Sequence, residues 1–87
     1  MAAVLIIDDQ ATSRQILSQI VKSIDSGLLV EAFEEAQGAL DWLERSPADL
    51  ILTDYKMPRM DGISLLSAIT THYPGTPVVV MTGYITY

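Results

Sequence analysis

Residues 50–62 carry the pattern on which the fold depends, and they read Leu50-Ile51-Leu52-Thr53-Asp54-Tyr55-Lys56-Met57-Pro58-Arg59-Met60-Asp61-Gly62. An apolar segment runs into a single carboxylate, Asp54. A turn containing Pro58 follows, and then Asp61-Gly62, a good start for a helix. Open α/β sheets bind their ligands outside the carboxyl ends of the strands. The stretch therefore predicts a strand that delivers Asp54 to a functional edge of a sheet.

The length and the net charge of the chain limit its number of domains and its class of partner. Its 87 residues are enough for one domain and no second core, so we expect residues 1–87 to form a single domain. Eleven acidic residues against five basic ones give a net charge of −6. Direct binding to nucleic acid requires clustered basic side chains, lysine and arginine. It is not expected here, because the bases are scattered along the chain: Arg14, Lys22, Arg45, Lys56 and Arg59.

The sequence also predicts a cytoplasmic location. Cysteine is absent, which fits a reducing compartment. The chain begins with Met1-Ala2-Ala3 and an apolar strand, without the basic segment that opens a secretory signal. No apolar run approaches the roughly 20 residues that span a bilayer, so we expect no membrane contact.

Strand and helix patterns alternate along the chain. Continuous apolar segments, typical of strands covered on both faces, predict strands at residues 4–7, 28–33, 49–53 and 77–82. Apolar residues at helical spacing predict helices over residues 11–24, about 36–45 and about 61–73. In the first helix the apolar stripe consists of Ile16, Leu17, Ile20, Val21 and Ile24.

This βαβαβαβ order with short connections predicts an α/β fold, a doubly wound, flavodoxin-like parallel sheet with strand order 2-1-3-4. If strand two lies to one side of strand one and the chain then doubles back through strands three and four, right-handed crossovers place the first helix on one face and the other two helices on the opposite face. The chain reverses between strands one and three, and those are the two strands that end in acids.

Asp8, Asp9 and Asp54 are therefore expected to meet in one crevice. Three carboxylates without a paired base repel one another, and a hard divalent cation relieves the repulsion. Mg²⁺ prefers oxygen ligands, and the backbone carbonyl of Lys56 could supply another. Thr82 ends the neighbouring strand, so its hydroxyl is expected to reach a phosphoryl group on Asp54. Phosphoryl transfer needs mainly positioning and charge neutralisation, which such a site offers.

These residues resemble the receiver domain of bacterial response regulators, the CheY-like superfamily of two-component systems. The resemblance covers residues 4–83 in the right order. It rests on Asp8-Asp9 after strand one, the Asp-Tyr-Lys-Met-Pro-Arg-Met-Asp-Gly stretch after strand three, and Met81-Thr82-Gly83 after strand four.

The resemblance implies a phospho-accepting signalling module and not an enzyme. Asp54 would be the phospho-acceptor, and a sensor histidine kinase or a phosphotransfer protein the donor. Asp9 and Asp54 would bind Mg²⁺ directly, and Asp8 would reach it through water. Thr82 would be the switch hydroxyl that follows the phosphoryl group.

The sequence departs from the family at its C-terminal end. The family has a further helix, a fifth strand that ends in a lysine, and a closing helix, so we expect residues 1–87 to be a receiver fragment without the final strand and last two helices. Lys56 does not replace the family lysine, because it directly follows the acceptor. Metal binding is expected to survive this loss, while phosphorylation is expected to be impaired.

An uncovered sheet face and an apolar edge strand also follow from this reading. About four strand side chains would lose their cover, at roughly 1.5–3 kcal/mol each, which is comparable with the whole stability of a small domain. We therefore expect self-association through strand four or through the bare face. This leaves open a second function, an oligomerising interaction or scaffold fragment without phospho-signalling.

Other functional readings of single residues are weaker. A haloacid-dehalogenase-type phosphohydrolase should end its first strand in Asp-x-Asp and carry a downstream lysine, whereas here the acids are adjacent and no lysine follows Lys56. Asp61 is interpreted as a helix N-cap, His72 as a residue at a helix end and Trp42 as a partly buried packing residue.

Overall fold

The computed structural model describes residues 2–55 and 60–81. The elements in chain order are β1 (Ala3–Ile7), α1 (Ala11–Ile24), β2 (Leu29–Phe33), α2 (Ala36–Leu43), β3 (Leu50–Asp54), α3 (Gly62–His72) and β4 (Val78–Met81). Each bound lies within two residues of its predicted position. Residue 82, the predicted end of the fourth strand, lies outside the described residues. No helix in the described part of the chain is long and apolar enough to cross a membrane.

The sheet confirms the predicted doubly wound topology. Its order is β2-β1-β3-β4, and every neighbouring pair is parallel. β1 is central and buried along its whole length, because helices cover both of its faces. Its last residue, Ile7, pairs with Phe33 on one side and with Thr53 on the other. The residues that follow Ile7 and Thr53 therefore emerge side by side at one edge of the sheet.

The core is divided between the two faces of the sheet. On one face α2 and α3 enclose a continuous cluster that includes Leu5, Ile7, Ile51, Leu65 and Ile69. On the other face α1 encloses a smaller cluster of Val4, Ile6 and Val21. The first helix thus lies alone on its face among the described residues, as the crossover rule predicts.

The apolar stripe of α1 is only partly buried, which differs from the pattern expected of a sheet-facing helix. Val21 is buried and Leu17 half-buried, whereas Ile16, Ile20 and Ile24 are 50%, 51% and 77% exposed. The reason is that α1 packs mainly on β1 and β2. No described helix covers β3 and β4 on this face, where Val79 is 47% exposed.

The start of α3 is fixed against the end of β3. The Asp61 carboxylate accepts a hydrogen bond from the Ser64 N–H at 2.7 Å, which confirms the predicted N-cap. The Gly62 N–H donates to the Tyr55 carbonyl at 2.7 Å. A Cβ at Gly62 would lie 2.5 Å from the Asp54 carbonyl oxygen. Only glycine allows the helix to begin this close to the backbone of Asp54.

We predict that Gly62→Ala destabilises the protein by about 1–3 kcal/mol, because the added methyl group collides with backbone that cannot move without displacing Asp54. Thermal unfolding followed by circular dichroism measures the effect, at about 4–8 °C per kcal/mol for a domain of this size. Gly75→Ala is the matched control, since nothing lies within 4 Å of a Cβ there. Equal melting temperatures for the two variants would contradict the close-approach explanation.

Candidate functional site

The three predicted acids do come together. Asp8 and Asp9 directly follow β1, and Asp54 is the last residue of β3. One carboxylate oxygen from each of the three lies within 4.8 Å of the others. This juxtaposition is a direct consequence of the parallel β1–β3 pairing, which ends both strands at the same edge.

Main-chain and side-chain bonds hold the turn after β1 in place. The Asp8 N–H donates to the Phe33 carbonyl of β2 at 3.0 Å. The Gln10 N–H donates to Asp8 Oδ1 at 2.9 Å. Arg14 donates from Nη1 to the Asp8 carbonyl at 2.8 Å. Asp8 is buried, so the orientation of its carboxylate is set by these contacts and not by solvent.

The carboxylate of Asp54 is oriented by the residue after it. The Tyr55 N–H lies 2.8 Å from Asp54 Oδ1 and also 2.8 Å from the Met81 carbonyl of β4, so one donor is shared between them. Asp54 itself is half-buried, while Thr53 beneath it is fully buried. The Asp54 side chain is therefore accessible to solvent, while the strand residue before it is fixed in the core.

The electrostatics of the cluster favour a cation. Burial raises the pKa of the Asp8 carboxyl, and the nearby charges of Asp54 and Asp9 raise it further. The hydrogen bond from the Gln10 N–H and the charge of Arg14 oppose this increase. The folded structure thus disfavours the ionised form of Asp8, and a bound cation would favour it. Three carboxylates are hard oxygen donors, and this donor set fits Mg²⁺.

The other predicted residues have separate outcomes. Lys56 and Thr82 lie outside the described residues, so their expected roles as carbonyl ligand and switch hydroxyl stay predictions. Trp42 is half-buried against the α2–α3 core, as predicted. His72 is exposed in the last turn of α3, with its ring edge against Tyr73 at a centroid distance of 6.5 Å.

Sequence reasoning missed the contribution of Arg14. In the sequence Arg14 is one of five scattered basic residues, whereas in the structure its side chain donates a hydrogen bond to the turn that carries two of the acids. The available signal was its spacing, since Arg14 lies one turn into α1, close enough for a long side chain to reach back to the strand end.

Comparison with known proteins gives one consistent result. The profile of the response regulator receiver domain matches residues 4–87. The chain is 38% identical over 81 residues to the DNA-binding transcriptional regulator NtrC of Proteus hauseri, covering 93% of this chain. It is 39% identical over 83 residues to the response regulator protein FleR of Pseudomonas aeruginosa, covering 95% of this chain.

A solved structure agrees with these matches. The chemotaxis response regulator CheY4 of Vibrio cholerae superposes with a TM-score of 0.84 at 31% identity, covering 99% of this chain and 72% of that one. By contrast, the chain spans only 17% of the length of the NtrC and FleR relatives. The likeness to those two proteins therefore concerns one part of each.

We predict that Asp8→Asn raises the melting temperature at pH 7 by a few degrees. Folding raises the pKa of Asp8 above its ordinary value of 3.8, so its ionised form lowers the stability of the folded state. This penalty is fully present above the raised pKa. It decreases as the pH falls and vanishes below 3.8, where the carboxyl is protonated in both states. The asparagine keeps an oxygen for the Gln10 N–H.

Thermal melts between pH 3 and pH 7, without divalent cations, measure this difference. Asp25→Asn is the matched control, because Asp25 is exposed, is remote from the cluster and accepts a comparable hydrogen bond from the Gly27 N–H. A gain that is equal in both variants would show only the effect of overall charge. A gain for Asp8→Asn that persists unchanged at pH 3 would contradict the linkage.

Proposed function

Because the chain belongs to the response regulator receiver domain family, we propose that it is a phospho-accepting signalling module in which Asp54 receives the phosphoryl group. The donor in this proposal is a sensor histidine kinase or a phosphotransfer protein of a two-component system, acting in the cytoplasm. The observation that carries the proposal is the convergence of three carboxylates around a half-buried aspartate at the end of β3. The chain would be a substrate for phosphorylation and not an enzyme.

The geometry of Asp54 supports a particular nucleophile. Oδ1 is engaged by the Tyr55 N–H, and Oδ2 accepts no hydrogen bond from the described residues. We assign Oδ2 as the oxygen that attacks the phosphorus of the donor's phosphohistidine. The new O–P bond forms as the P–N bond breaks, and the departing imidazole takes up a proton from solvent. The product is an acyl phosphate on Asp54.

Asp8, Asp9 and Asp54 are the residues that would hold Mg²⁺. The bound ion would neutralise the charge of the carboxylates and of the incoming phosphoryl group. The residues themselves supply the positioning, because the turn after β1 and the end of β3 are each held by hydrogen bonds. The excess of acid, a net charge of −6, argues against direct contact of these residues with nucleic acid.

We also propose that phosphorylation of the 87-residue chain is slow. No lysine follows Lys56 in the sequence, so the chain offers no later lysine to neutralise the phosphoryl group from across the crevice. Among the described residues, Arg14 is the positively charged side chain that forms a hydrogen bond at the site, and its guanidinium donates to the Asp8 carbonyl.

A second function, association with a second copy of this chain, is favoured by the apolar edge strand β4 and by the uncovered sheet face beside it. β4 is an edge strand among the described residues and consists of Val78, Val79, Val80 and Met81. Alternate residues bond along a parallel ladder. The Pro77 carbonyl accepts from the Ile51 N–H of β3, and the Met81 carbonyl accepts from the Tyr55 N–H directly after β3. The backbone groups of Val78 and Val80 therefore point away from β3, where a second strand can pair with them.

We expect Mg²⁺ and acetyl phosphate to add one phosphoryl group to the chain, observed by intact-protein mass spectrometry. The adduct should be lost on treatment with hydroxylamine, as an acyl phosphate is, and should not form in the presence of EDTA. Asp54→Asn should abolish it. Asp41→Asn, which removes a carboxylate from the exposed side of α2, is the control and should be labelled like the parent.

Labelling of Asp54→Asn to the same extent as the parent would refute the assignment of the acceptor. Labelling of the parent that is insensitive to EDTA would refute the role of the metal.

We expect sedimentation velocity to show dimers or larger species of the chain at micromolar concentration, and Val79→Lys to shift them to monomer. A lysine on the uncovered face introduces charge where two apolar surfaces would meet. Ile63→Lys is the control, since Ile63 is exposed to a similar degree, 51% against 47%, but lies on α3 at the opposite face. A monomeric parent, or an equal response of both variants, would refute association through this surface.

A further inference from the structure

We propose that Arg14 is a positioning residue for the acidic cluster, and that its bond to the Asp8 carbonyl sets the conformation in which Asp8 and Asp9 bind a divalent cation. This inference rests on the proposed function. It adds to it a residue outside the set of acids, on the first helix and not at a strand end.

Arg14 engages the acidic turn from both sides. Its backbone N–H donates to the Gln10 carbonyl at 3.0 Å, the first hydrogen bond of α1. Its Nη1 donates to the Asp8 carbonyl at 2.8 Å. Asp9 lies between these two carbonyls in the chain. A single residue therefore holds the peptide group that precedes Asp9 and the carbonyl of the residue that follows it.

The same turn carries a third hydrogen bond, between the two residues that Arg14 holds. The Gln10 N–H donates to Asp8 Oδ1 at 2.9 Å, which orients the Asp8 carboxylate. If the Asp8 carbonyl loses its guanidinium partner, the peptide between Asp8 and Asp9 is free to rotate. That rotation moves the Asp9 side chain and alters the Gln10 contact. The position of both acids is therefore coupled to one arginine.

Arg14 differs from the other bases of the described chain. It is half-buried, whereas Lys22 on the same helix and Arg45 after α2 are exposed. A hydrogen bond from an ionised donor is stronger than one between neutral groups. The planar guanidinium also loses less conformational freedom than a lysine when it forms such a bond. The burial and bonding of Arg14 are those of a side chain that fixes a turn, whereas Lys22 and Arg45 are exposed to solvent.

Electrostatics alone makes the opposite prediction, which gives the proposal a clear test. The positive charge of Arg14 lies close enough to act on the Asp8 carboxyl, so it also repels a cation bound there. If charge were its only effect, removing it would tighten Mg²⁺ binding. If it positions the turn, removing it weakens binding. The sign of the change separates the two roles.

The experiment compares Arg14→Gln and Arg14→Lys with the parent. Lys22→Gln is the matched control, because it removes one positive charge from the same helix without touching the turn. Isothermal titration calorimetry with Mg²⁺ measures affinity. Two-dimensional ¹H–¹⁵N NMR without metal follows the amides of Gln10 and Tyr55, which donate to the carboxylates of Asp8 and Asp54.

We expect Arg14→Gln to weaken Mg²⁺ binding by about 3- to 10-fold, a change corresponding to the loss of one modest hydrogen bond. It should also shift the Gln10 amide in the metal-free protein. Arg14→Lys, which keeps a cationic donor, should remain within about twofold of the parent, as should Lys22→Gln. Unchanged or tighter Mg²⁺ binding by a folded Arg14→Gln protein would overturn the proposal.

Failure of the underlying function has a different signature. A parent that does not bind Mg²⁺ would refute the metal site, while the NMR comparison would still decide the role of Arg14. In that case a displaced Gln10 amide in Arg14→Gln alone supports positioning, and coincident spectra of Arg14→Gln and the parent overturn it.

Discussion

The parallel pairing of β1 with β3 is the constraint on which the rest of the structure depends. The register that sets Ile7 beside Thr53 also sets the acids that follow β1 beside Asp54. Hydrophobic burial drives this pairing, since Leu5, Ile6, Ile7 and Ile51 are fully buried. The free energy gained by burying these apolar side chains thus offsets the mutual repulsion of the carboxylates at the strand ends.

Hydrogen bonds from neighbouring residues fix the positions of these carboxylates. The Gln10 and Tyr55 amides each hold one carboxylate oxygen, and Arg14 holds the intervening backbone. The amide donors orient the acids without adding charge, and the guanidinium, which bonds to the Asp8 carbonyl, offsets only part of the negative charge near Asp8. The acid cluster is therefore preformed while its carboxylates keep most of their charge, which is the arrangement that the proposed phosphoryl transfer would use.

Much of the fold and of the site follows from local pattern. The continuous apolar strands, the acids at their ends and the Asp61 cap predict the topology and the meeting of Asp8, Asp9 and Asp54, because these depend on strand direction and crossover handedness alone. What the pattern does not contain are contacts between elements. The burial of Val21 but not Ile20 depends on where α1 lies across the sheet. The need for Gly62 depends on how closely α3 approaches the end of β3, and the role of Arg14 depends on the reach of one side chain.

The backbone N–H of Tyr55 connects the Asp54 carboxylate to the neighbouring strand β4. The same N–H serves the Asp54 carboxylate and the carbonyl of Met81, so the two acceptors compete for it. Conversion of the carboxylate to an acyl phosphate would leave Oδ1 as the uncharged carbonyl oxygen of a mixed anhydride, a weaker acceptor than a carboxylate oxygen. The Tyr55 N–H would then bond more strongly to the Met81 carbonyl. Under the proposed function, the bond between the Tyr55 N–H and the Met81 carbonyl would carry an effect of phosphorylation at Asp54 to the carboxyl end of β4 through the main chain.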